Sequence, residues 1–404
     1  MRPNARTRYP HIFAENAKYK RTEFLSVYFL GVAMIRLMHA ISDTNVGGAG
    51  IQVLNLLSHL DRECFDLRVL LPRRSLLTPY FLAEGIAVCE VATQPDTSFS
   101  LRDVRALLPI FALHRPDILH THGFFSARVA ARLCGVPHIL ATRHCAEPVG
   151  RLTRLPHAYG ALYSRFTDKT VATAAYAAAD LLRRGHDRSR IVLIRNGCEP
   201  KHRVTPEERA VLRRRLGIPD SAVVLGMNAR LERVKGQDIL LSALARLKAA
   251  GINAVGLFVG CGTCETDYRV LASALGVAEC AFFVGFVRDV TPYLNLFDLN
   301  INCSRGTETS CLAISEAMSL GIPTLATDFG GNPEMVRDGE NGFLYPREDA
   351  EALATLVLRL IGDEKTRARL ALNAKRMAST RFSAENMAKM YTELYNSMLL
   401  AEKG

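Results

Sequence analysis

The feature that most limits the fold of this chain is a repeated alternation of short apolar segments with helix-like stretches. In the first half, the apolar segments are residues 35–42, 67–71, 118–120, 139–142, 170–173 and 191–194. In the second half, they are residues 223–227, 254–259, 281–284, 299–302 and 324–326. Short apolar strands that alternate with helices are typical of a parallel sheet covered on both faces. The pattern predicts an α/β fold with two Rossmann-like doubly wound parallel-sheet domains facing a central cleft.

The length and the local composition suggest where these domains begin and end. A chain of 404 residues is long enough for two domains of ordinary size, each with its own core. The region from Arg195 to Asp220 is polar, basic and proline-containing, which is typical of a connection. We therefore expect five parts in chain order, namely an N-terminal extension (1–33), a first domain (34–200), a hinge (201–220), a second domain (221–380) and a C-terminal helix (381–404).

The N-terminal extension resembles a targeting segment only in part. Six basic residues lie in its first 21 positions, ahead of an apolar run at residues 24–35. A run of about twelve residues is too short to span a bilayer, and no convincing cleavage site follows it. We expect residues 1–33 to be dispensable, with Met34 as the true start. A weak interfacial anchor is the alternative.

Composition limits the class of partner. The hydrophobic fraction of 49% and the charged fraction of 23% are globular values. Ten cysteines without regular spacing favour a reduced, cytoplasmic protein. Residues 1–200 hold 26 Lys and Arg against 16 Asp and Glu, which favours an anionic membrane surface or a lipid-phosphate substrate. No nucleic-acid-binding signature is present. A solvated basic surface without a partner remains the alternative.

Two glutamates eight residues apart, Glu308 and Glu316, form the most informative motif. We expect a helix that begins near Glu308, is capped by Ser310 and ends at Gly321. At 1.5 Å per residue the carboxylates would lie roughly 12 Å apart, about the length of a nucleotide sugar. The backbone amides of Ser310, Cys311 and Leu312, at the start of the helix, would lie between the two carboxylates and face a bound diphosphate. An amphipathic helix with a solvated Glu at each end is the alternative.

Two further segments suit the binding of phosphate. Arg230 and Lys235 follow the first predicted strand of the second domain, where Arg can clamp phosphate oxygens and Lys can act as a point charge. Gly47 and Gly48 follow the first strand of the first domain and would let backbone amides approach a ligand closely. Surface charge and a tight turn, respectively, are the alternative explanations.

Histidines at two predicted strand ends of the first domain could line the same cleft. They are His120, His122 and His144. A zinc site is disfavoured because no carboxylate or cysteine with metal-like spacing accompanies them. The chain also has no Asp-x-Asp motif, so we expect no metal and no cofactor. A polar contact between His144 and a sugar is the preferred interpretation, and histidines without a role are the alternative.

Together, these motifs resemble those of the GT-B glycosyltransferases of family 4, over nearly the whole chain from residue 35. Glu308 and Glu316 match the E-x7-E pair of that family, and Arg230 and Lys235 match its basic diphosphate pair. The segments 321–324, 330–334 and 339–343 look like the tail of its donor domain. Ala229 and Thr309-Ser310 depart from the usual glycines of the family, but all three are small residues.

The resemblance implies a role for each of these residues. Glu308 would hold hydroxyls of the donor sugar, Glu316 the ribose, and Arg230 with Lys235 the departing diphosphate. His144 would lie near the anomeric carbon. Gly47 and Gly48 would form the glycine loop of the acceptor domain. Phe286 and Val287 would lie in the segment whose backbone binds the base of the nucleotide. The last helix would cross back to the first domain.

The resulting prediction is a hexosyltransferase-type enzyme that acts with retention of configuration and without a metal. Its donor would be a nucleotide diphosphate sugar and its acceptor a glycan or a polyprenyl-linked molecule, in cell-surface or exopolysaccharide synthesis. A cytoplasmic protein, peripheral on the inner face of the membrane, would suit such an acceptor. A non-catalytic nucleotide-sugar-binding subunit and a nucleotide-sugar epimerase on the same fold are the alternatives.

Overall fold

The computed structural model describes residues 34–144, 156–306 and 308–400. Its contacts divide the chain into two compact units. Unit 1 comprises the residues up to Arg195 together with those from Ala384, and unit 2 comprises Asn196–Ser383. The predicted N-terminal extension, residues 1–33, lies outside the described residues.

Each unit is built on one sheet whose strands are all parallel. The seven strands of unit 1 are Ile35–Ile41 (β1), Phe65–Pro72 (β2), Ala87–Val91 (β3), Ile118–His122 (β4), His138–Arg143 (β5), Lys169–Ala172 (β6) and Ile191–Leu193 (β7). The six strands of unit 2 are Val223–Asn228 (β8), Ala254–Val259 (β9), Ala281–Gly285 (β10), Leu299–Asn302 (β11), Thr324–Thr327 (β12) and Gly342–Tyr345 (β13).

Helices connect these strands. Those before the second sheet are Gly48–Leu57 (α1), Thr78–Ala83 (α2), Leu101–His114 (α3), Phe125–Leu133 (α4), Pro156–Arg165 (α5), Ala175–Arg183 (α6) and Pro206–Leu216 (α7). Those within or after it are Gln237–Ala249 (α8), Glu265–Ala274 (α9), Thr291–Leu294 (α10), Leu312–Ser319 (α11), Asn332–Met335 (α12), Ala350–Gly362 (α13), Glu364–Arg381 (α14) and Ala384–Leu400 (α15). The predicted α/β class, with two doubly wound parallel sheets, is confirmed.

The strand order places a topological switch point in each sheet. Unit 1 has the order β3-β2-β1-β4-β5-β6-β7, so the order reverses between β1 and β4. Unit 2 has the order β10-β9-β8-β11-β12-β13, and it reverses between β8 and β11. Open parallel sheets bind ligands beyond the carboxyl ends of their strands at such points. A ligand site in unit 2 is therefore expected at the carboxyl ends of β8 and β11.

Two strands were not predicted from the sequence, and both lie at a sheet edge. β3 has only one fully buried residue, Val91, so its residues lack the apolar run that marks an interior strand. β13 has four residues and begins with Gly342, whose missing side chain is required because a Cβ would lie 2.0 Å from the Thr324 carbonyl oxygen. An edge strand with few buried side chains, such as β3, and a strand of only four residues that begins with glycine, such as β13, both leave a weak sequence signal.

The stretch predicted as a hinge, residues 201–220, includes helix α7 of unit 2. This helix begins at a capping box in which the side chains of Thr205 and Glu208 each bond to the backbone of the other residue. It ends at Gly217, whose φ of 73° is left-handed. Local capping thus explains why a polar, basic segment is helical here.

The last helix, α15, completes the core of unit 1. Its buried residues recur at helical spacing and form one apolar face, made of Met387, Ala388, Tyr391, Leu394, Tyr395 and Met398. They join one hydrophobic cluster with residues of β1, α1 and β2, such as Leu37, Leu56 and Val69. Unit 1 is therefore assembled from two segments that are separated in the chain by the whole of unit 2.

Candidate active site

The carboxyl ends of β8 and β11 bring two of the predicted residues into direct contact. Lys235 lies in a short 3₁₀ turn between β8 and α8, and Glu308 lies in the loop between β11 and α11. Gly236 makes this approach feasible, because its φ is 74° and a Cβ there would lie 2.4 Å from the Cys303 carbonyl oxygen. The Lys235 loop therefore packs directly on the end of β11.

Lys235 and Glu308 form a buried ion pair. The ammonium of Lys235 donates a hydrogen bond to Oε1 of Glu308, and the Ser304 hydroxyl donates to the same oxygen at 2.9 Å. Burial acts to raise the pKa of the Glu308 carboxyl, but Lys235 and hydrogen bonds from Ser304 and Cys311 leave it below its usual value. Burial likewise acts to lower the pKa of Lys235, and Glu308 raises it. Both groups are therefore ionised at neutral pH.

The backbone that carries Glu308 is held by a glycine pair after β12. The amide of Gly331 donates a hydrogen bond to the Glu308 carbonyl oxygen at 3.1 Å. A Cβ on Gly331 would lie 1.5 Å from the Thr309 carbonyl oxygen. Only glycine leaves room for this contact, so the segment with Gly330 and Gly331 fixes the position of the Glu308 loop.

The predicted cap of the following helix is wrong. The helix predicted over residues 312–320 is confirmed as α11, but Cys311 rather than Ser310 is its N-cap, and Glu308 stands ahead of it in a loop. Ser310 is engaged elsewhere, because its Oγ accepts from the amide of Asn196 at 3.2 Å and its carbonyl accepts from Asn196 Nδ2 at 3.0 Å. The estimate of roughly 12 Å assumed one continuous helix and does not apply.

Glu316 lies within α11 and has different partners from Glu308. Asn228 Nδ2 donates to Oε2 of Glu316 at 3.1 Å, and the Lys201 ammonium lies 3.3 Å from Oε1. Burial raises the pKa of the Glu316 carboxyl, and these two partners only partly offset the effect. The E-x7-E motif therefore holds two buried carboxyls whose pKa values are shifted in opposite directions.

The other predicted donor residues lie around this centre or away from it. Arg230 follows β8, is exposed, and has its carbonyl fixed by Gln237 Nε2 at 2.7 Å. Phe286, which is 54% exposed, and Val287 follow β10, which β9 separates from β8. Gly47 and Gly48 belong to unit 1, where Gly47 is the N-cap of α1 and a Cβ on Gly48 would meet no atom within 4 Å.

The predicted histidines form a cluster in unit 1 with a fourth, His39, which the sequence did not single out; His39, His120 and His122 are buried and His144 is half-buried. His39 lies in the middle of β1 and pairs in register with His120 of β4. His122 ends β4, and His144 directly follows β5. Nδ1 of His39 lies 3.0 Å from Nε2 of His122, and Nδ1 of His122 lies 2.8 Å from Nε2 of His144.

All four histidines of this cluster are neutral at physiological pH. Burial lowers the pKa of His39 to about 3 and that of His144 to about 4. Burial also lowers the pKa values of His120 and His122 well below the usual value, and the neighbouring imidazoles add to the effect. Neutral imidazoles can share hydrogen bonds with one another because each has one donor nitrogen and one acceptor nitrogen.

The cluster could also be considered as a metal site, because ligand atoms of His39, His120 and His122 lie within 4.8 Å of one another. Three neutral imidazoles are a suitable donor set for zinc. However, every ring nitrogen of these three residues already has a hydrogen-bond partner within the cluster or on Thr142 and Tyr395. A metal would have to replace several of these bonds, so the arrangement fits a hydrogen-bond network better.

Several residues of these two sites were not singled out from the sequence. They are His39, Tyr391 and Tyr395 in unit 1 and Lys201 and Ser304 in unit 2. His39 had a usable signal, since it is a polar residue in the middle of an apolar strand. Lys201 lies far from Glu316 in the chain, and Ser304 is an ordinary loop serine. For these two, only the folded structure shows the role.

Two family models match most of the chain. Residues 208–377 match the glycosyl transferases group 1, and residues 46–202 match glycosyltransferase family 4. The two matched regions fall largely in unit 2 and in unit 1, respectively. The chain therefore belongs to the GT-B glycosyltransferases of family 4. It is an enzyme of the glycosyltransferase class, as the motif resemblance predicted.

Relatives agree with this assignment, and a solved structure agrees with the fold. A D-inositol 3-phosphate glycosyltransferase of Stackebrandtia nassauensis is 28% identical over 370 residues, which cover 82% of each chain. A putative glycosyltransferase, EpsD of Bacillus subtilis, is 29% identical over 76% of this chain and 84% of its own. The crystal structure of Anabaena Alr3699/HepE with UDP and glucose has a TM-score of 0.80 at 23% identity. It covers 90% of this chain and all of its own.

Proposed function

We propose that this enzyme transfers a sugar from a nucleotide diphosphate sugar to a hydroxyl-bearing acceptor, with retention of configuration and without a metal. The observation that carries the proposal is the buried ion pair of Lys235 and Glu308 at the switch point of the second sheet. A buried charge pair is costly to maintain, and a pair at a strand end is placed to meet a charged, hydroxyl-rich ligand.

Each partner of the pair suits a different part of such a donor. The Lys235 ammonium, with exposed Arg230 on the same loop, would stabilise the negative charge that develops on the departing diphosphate. The ionised Glu308 carboxylate would accept hydrogen bonds from sugar hydroxyls. In the described state Lys235 and Glu308 bond to each other. A bound donor would replace this bond, with its diphosphate contacting Lys235 and its sugar hydroxyls contacting Glu308. This exchange avoids a buried charge without a partner in either state.

The remaining roles follow from the surroundings of each residue. Glu316, whose carboxyl now contacts Asn228 and Lys201, would bind ribose hydroxyls in the donor complex. The amide of Leu312 at the start of α11 would bind a phosphate oxygen, and the amide of Cys311 could do so only in exchange for its bond to Met335 Sδ at 3.1 Å. Phe286 would offer its exposed ring to the base. We propose UDP-sugars as the first donors to test, because structurally similar Anabaena Alr3699/HepE has been solved with UDP and with UDP-glucose.

We also propose an anionic acceptor in the synthesis of a cell-surface glycan or exopolysaccharide. Residues 1–200 carry nearly all of the net charge of +11, and relatives are named for D-inositol 3-phosphate, which bears a phosphate. Among the described residues, no helix combines the length and the apolar character that crossing a bilayer requires. For a polyprenyl-linked acceptor, we propose peripheral contact between the basic surface and anionic lipid.

The test is a panel of UDP-, GDP- and ADP-sugars, assayed for slow hydrolysis and for thermal stabilisation, with the Lys235→Ala variant beside the native chain. We expect one nucleoside diphosphate to be released selectively, with at least about a hundredfold loss in the variant. Proton NMR of the released sugar reports its anomeric configuration, and repetition in a chelator tests the need for a metal.

Other outcomes would change the proposal. Undiminished release by Lys235→Ala would remove Lys235 from the site. Stabilisation by a donor without release would point to a binding subunit, and conversion of one nucleotide sugar into another would point to an epimerase. A product with inverted configuration, or activity abolished by the chelator, would contradict the corresponding part of the mechanism.

A further inference from the structure

Arg305 joins the loop that carries Glu308 to the loop that carries Lys235. It directly follows Ser304, whose hydroxyl donates to the Glu308 carboxylate. The backbone amide of Arg305 donates to the carbonyl oxygen of Val234 at 2.8 Å. Two consecutive residues after β11 therefore contact the two halves of the buried ion pair, one at the carboxylate and the other at the residue before the lysine.

The guanidinium of Arg305 makes further contacts around Lys235. Nη1 donates to the Arg233 carbonyl oxygen at 3.0 Å and to Oδ1 of Asp238 at 2.8 Å. Nη2 donates to the other carboxylate oxygen of Asp238, and such a bidentate pair restricts orientation as well as distance. Arg233 and Asp238 flank the lysine in the chain, so the loop is held on both sides of it. We call the contacts of Arg305 with Arg233, Val234 and Asp238 the Arg305 clamp.

Two residues after β13 hold Arg305 in place. Nη1 of Arg347 donates to the Arg305 carbonyl oxygen at 2.9 Å, and Oε1 of Glu348 lies 3.3 Å from Nε of Arg305. The side chains of Arg305 and Asp238 are 27% and 30% exposed, so solvent screens their charges less than those of a surface pair. The Arg305 clamp is therefore anchored both in its backbone and at its charged group.

The position of Lys235 depends on its surroundings, because its own turn is short. Lys235 ends the 3₁₀ turn Arg233–Lys235, and Gly236 follows it with a left-handed backbone. Hydrogen bonds in such turns have poorer geometry than those of an α-helix. In the donor complex proposed above, the ammonium would also give up its bond to Glu308. The contacts of the loop, with those of Arg305 foremost, would then fix where the ammonium lies.

We propose that Arg305 is a positioning residue for Lys235 and acts through the Arg305 clamp. Its guanidinium is already engaged by two carboxylates and a carbonyl oxygen, so we assign it no direct contact with the donor. The clamp places the ammonium of Lys235 at a fixed position beside Glu308, where a diphosphate would meet it. The consequence for turnover rests on the proposed function, whereas the placement of Lys235 does not.

The placement of Lys235 can be measured without a substrate. In protein labelled with ¹⁵N-lysine, an ammonium held in a buried ion pair exchanges its protons slowly and gives a resolved signal, which Lys235→Ala assigns. In Arg305→Ala we expect this signal to shift and broaden, because the loop no longer holds the ammonium in one place. Arg246→Ala is the matched control, since Arg246 lies on α8 as Asp238 does and forms an exposed pair with Glu351. It should leave the signal native.

An Asp238→Asn variant breaks the Arg305 clamp at its other end and keeps the shape of the side chain. We expect it to change the Lys235 signal in the same direction as Arg305→Ala, by a smaller amount, because the bond to the Arg233 carbonyl oxygen remains. Thermal unfolding of all variants shows that folded proteins are compared. A native chain without a resolved Lys235 signal, or the same signal in the native protein and both variants, would overturn the proposal.

Kinetics separate positioning from general support of the fold. We expect Arg305→Ala to lower kcat about tenfold, the equilibrium factor of one hydrogen bond to a charged group, with little change in donor KM. In a Lys235→Ala background the same substitution should cost little, because no ammonium is left to position. An equal factor in both backgrounds would overturn the proposal. Arg305→Lys should stay below the native rate, because an ammonium cannot form the bidentate pair, and full activity in it would contradict the clamp.

The two measurements distinguish this proposal from the proposed function. If the Lys235 signal responds as expected and the native chain turns over no donor, the proposed function fails while the positioning of Lys235 stands. If donors are turned over and neither the signal nor kcat responds to Arg305→Ala, the positioning role fails alone.

Discussion

The two glutamates of one motif have pKa values that are shifted in opposite directions. The pKa of Glu308 is lowered because the charge of Lys235 and hydrogen bonds from Lys235, Ser304 and Cys311 outweigh its burial, whereas the pKa of Glu316 is raised because burial dominates. Glu308 therefore contributes stability above its unfolded pKa, which is lost as the pH falls through its folded value. Glu316 contributes in the opposite sense, and its share is lost as the pH rises. Partners, rather than spacing, set the chemistry of each carboxyl.

At this scale, the Glu308→Gln variant is the sharpest test. The amide keeps the shape of the side chain but leaves the Lys235 ammonium buried without a counter-charge. We expect the free energy of unfolding to fall by about 3 kcal/mol and turnover to fall about hundredfold. Urea denaturation and initial rates measure the two effects.

The matched control is Glu279→Gln, which removes the carboxylate from an exposed Lys–Glu pair with Lys248 in the same unit. Both measured quantities should stay at their native values, because solvent screens such a pair. Equal effects of the two substitutions would contradict the special role of the buried pair.

Among the elements, the loop between β11 and α11 depends on the turn after β12. Glu308 and Thr309 both present carbonyl oxygens to Gly330 and Gly331. The φ of Gly331 is −88°, a value that any residue adopts, so the close approach is the sole reason for glycine there. The position of the Glu308 carboxylate is thus set by contacts from another element.

The Gly331→Ala variant tests this dependence. A methyl group would meet the Thr309 carbonyl oxygen and displace the loop, and a misplacement of about 1 Å can cost about hundredfold in kcat/KM. We expect a loss of that order in the donor assay. Gly362→Ala is the control, because its Cβ would meet no atom within 4 Å. A native rate in Gly331→Ala would show that the loop position is not limiting.

Comparison of elements also shows what the sequence could predict. The interior strand β9 was predicted because its run of apolar residues and glycine is unbroken, and the structure buries all of them. The edge strand β3 lacks such a run, and β13 has only three apolar residues after Gly342, so neither was predicted. Ser310 was expected to cap α11 because it is a good capping residue near the helix start, but Asn196 binds it instead. A contact between residues 114 positions apart leaves no local pattern.

In the whole molecule, histidines with strongly lowered pKa values are confined, among the described residues, to unit 1. Burial lowers the pKa of His39 to about 3, that of His144 to about 4 and that of His186 to about 4. The unfolded chain binds protons at these rings near pH 6.5, whereas the folded chain does not. Stability therefore falls as the pH falls below about 6.5 and levels off near the folded values.

We expect unit 1 to lose about 1.4 kcal/mol of unfolding free energy per such histidine between pH 7.5 and pH 5.5. Unit 2 should lose less, because its described histidine His202 is exposed and its Glu316 acts in the opposite sense. Pulse proteolysis in urea at the two pH values, with mass spectrometry of the fragments, identifies the unit that opens first. If both units lost the same unfolding free energy between the two pH values, the buried histidines of unit 1 would not be the cause of the loss.

The two-segment construction of unit 1 has a consequence during synthesis on the ribosome. Residues up to Arg195 emerge early, but the helix that covers their hydrophobic cluster follows only after all of unit 2. Domains generally fold as units in the order of their synthesis, yet here the second can finish first. Until α15 is synthesised, the apolar residues that it covers stay exposed on the first segment, and we expect a chaperone to bind them. Its histidines meet Tyr395 only in the last step of folding.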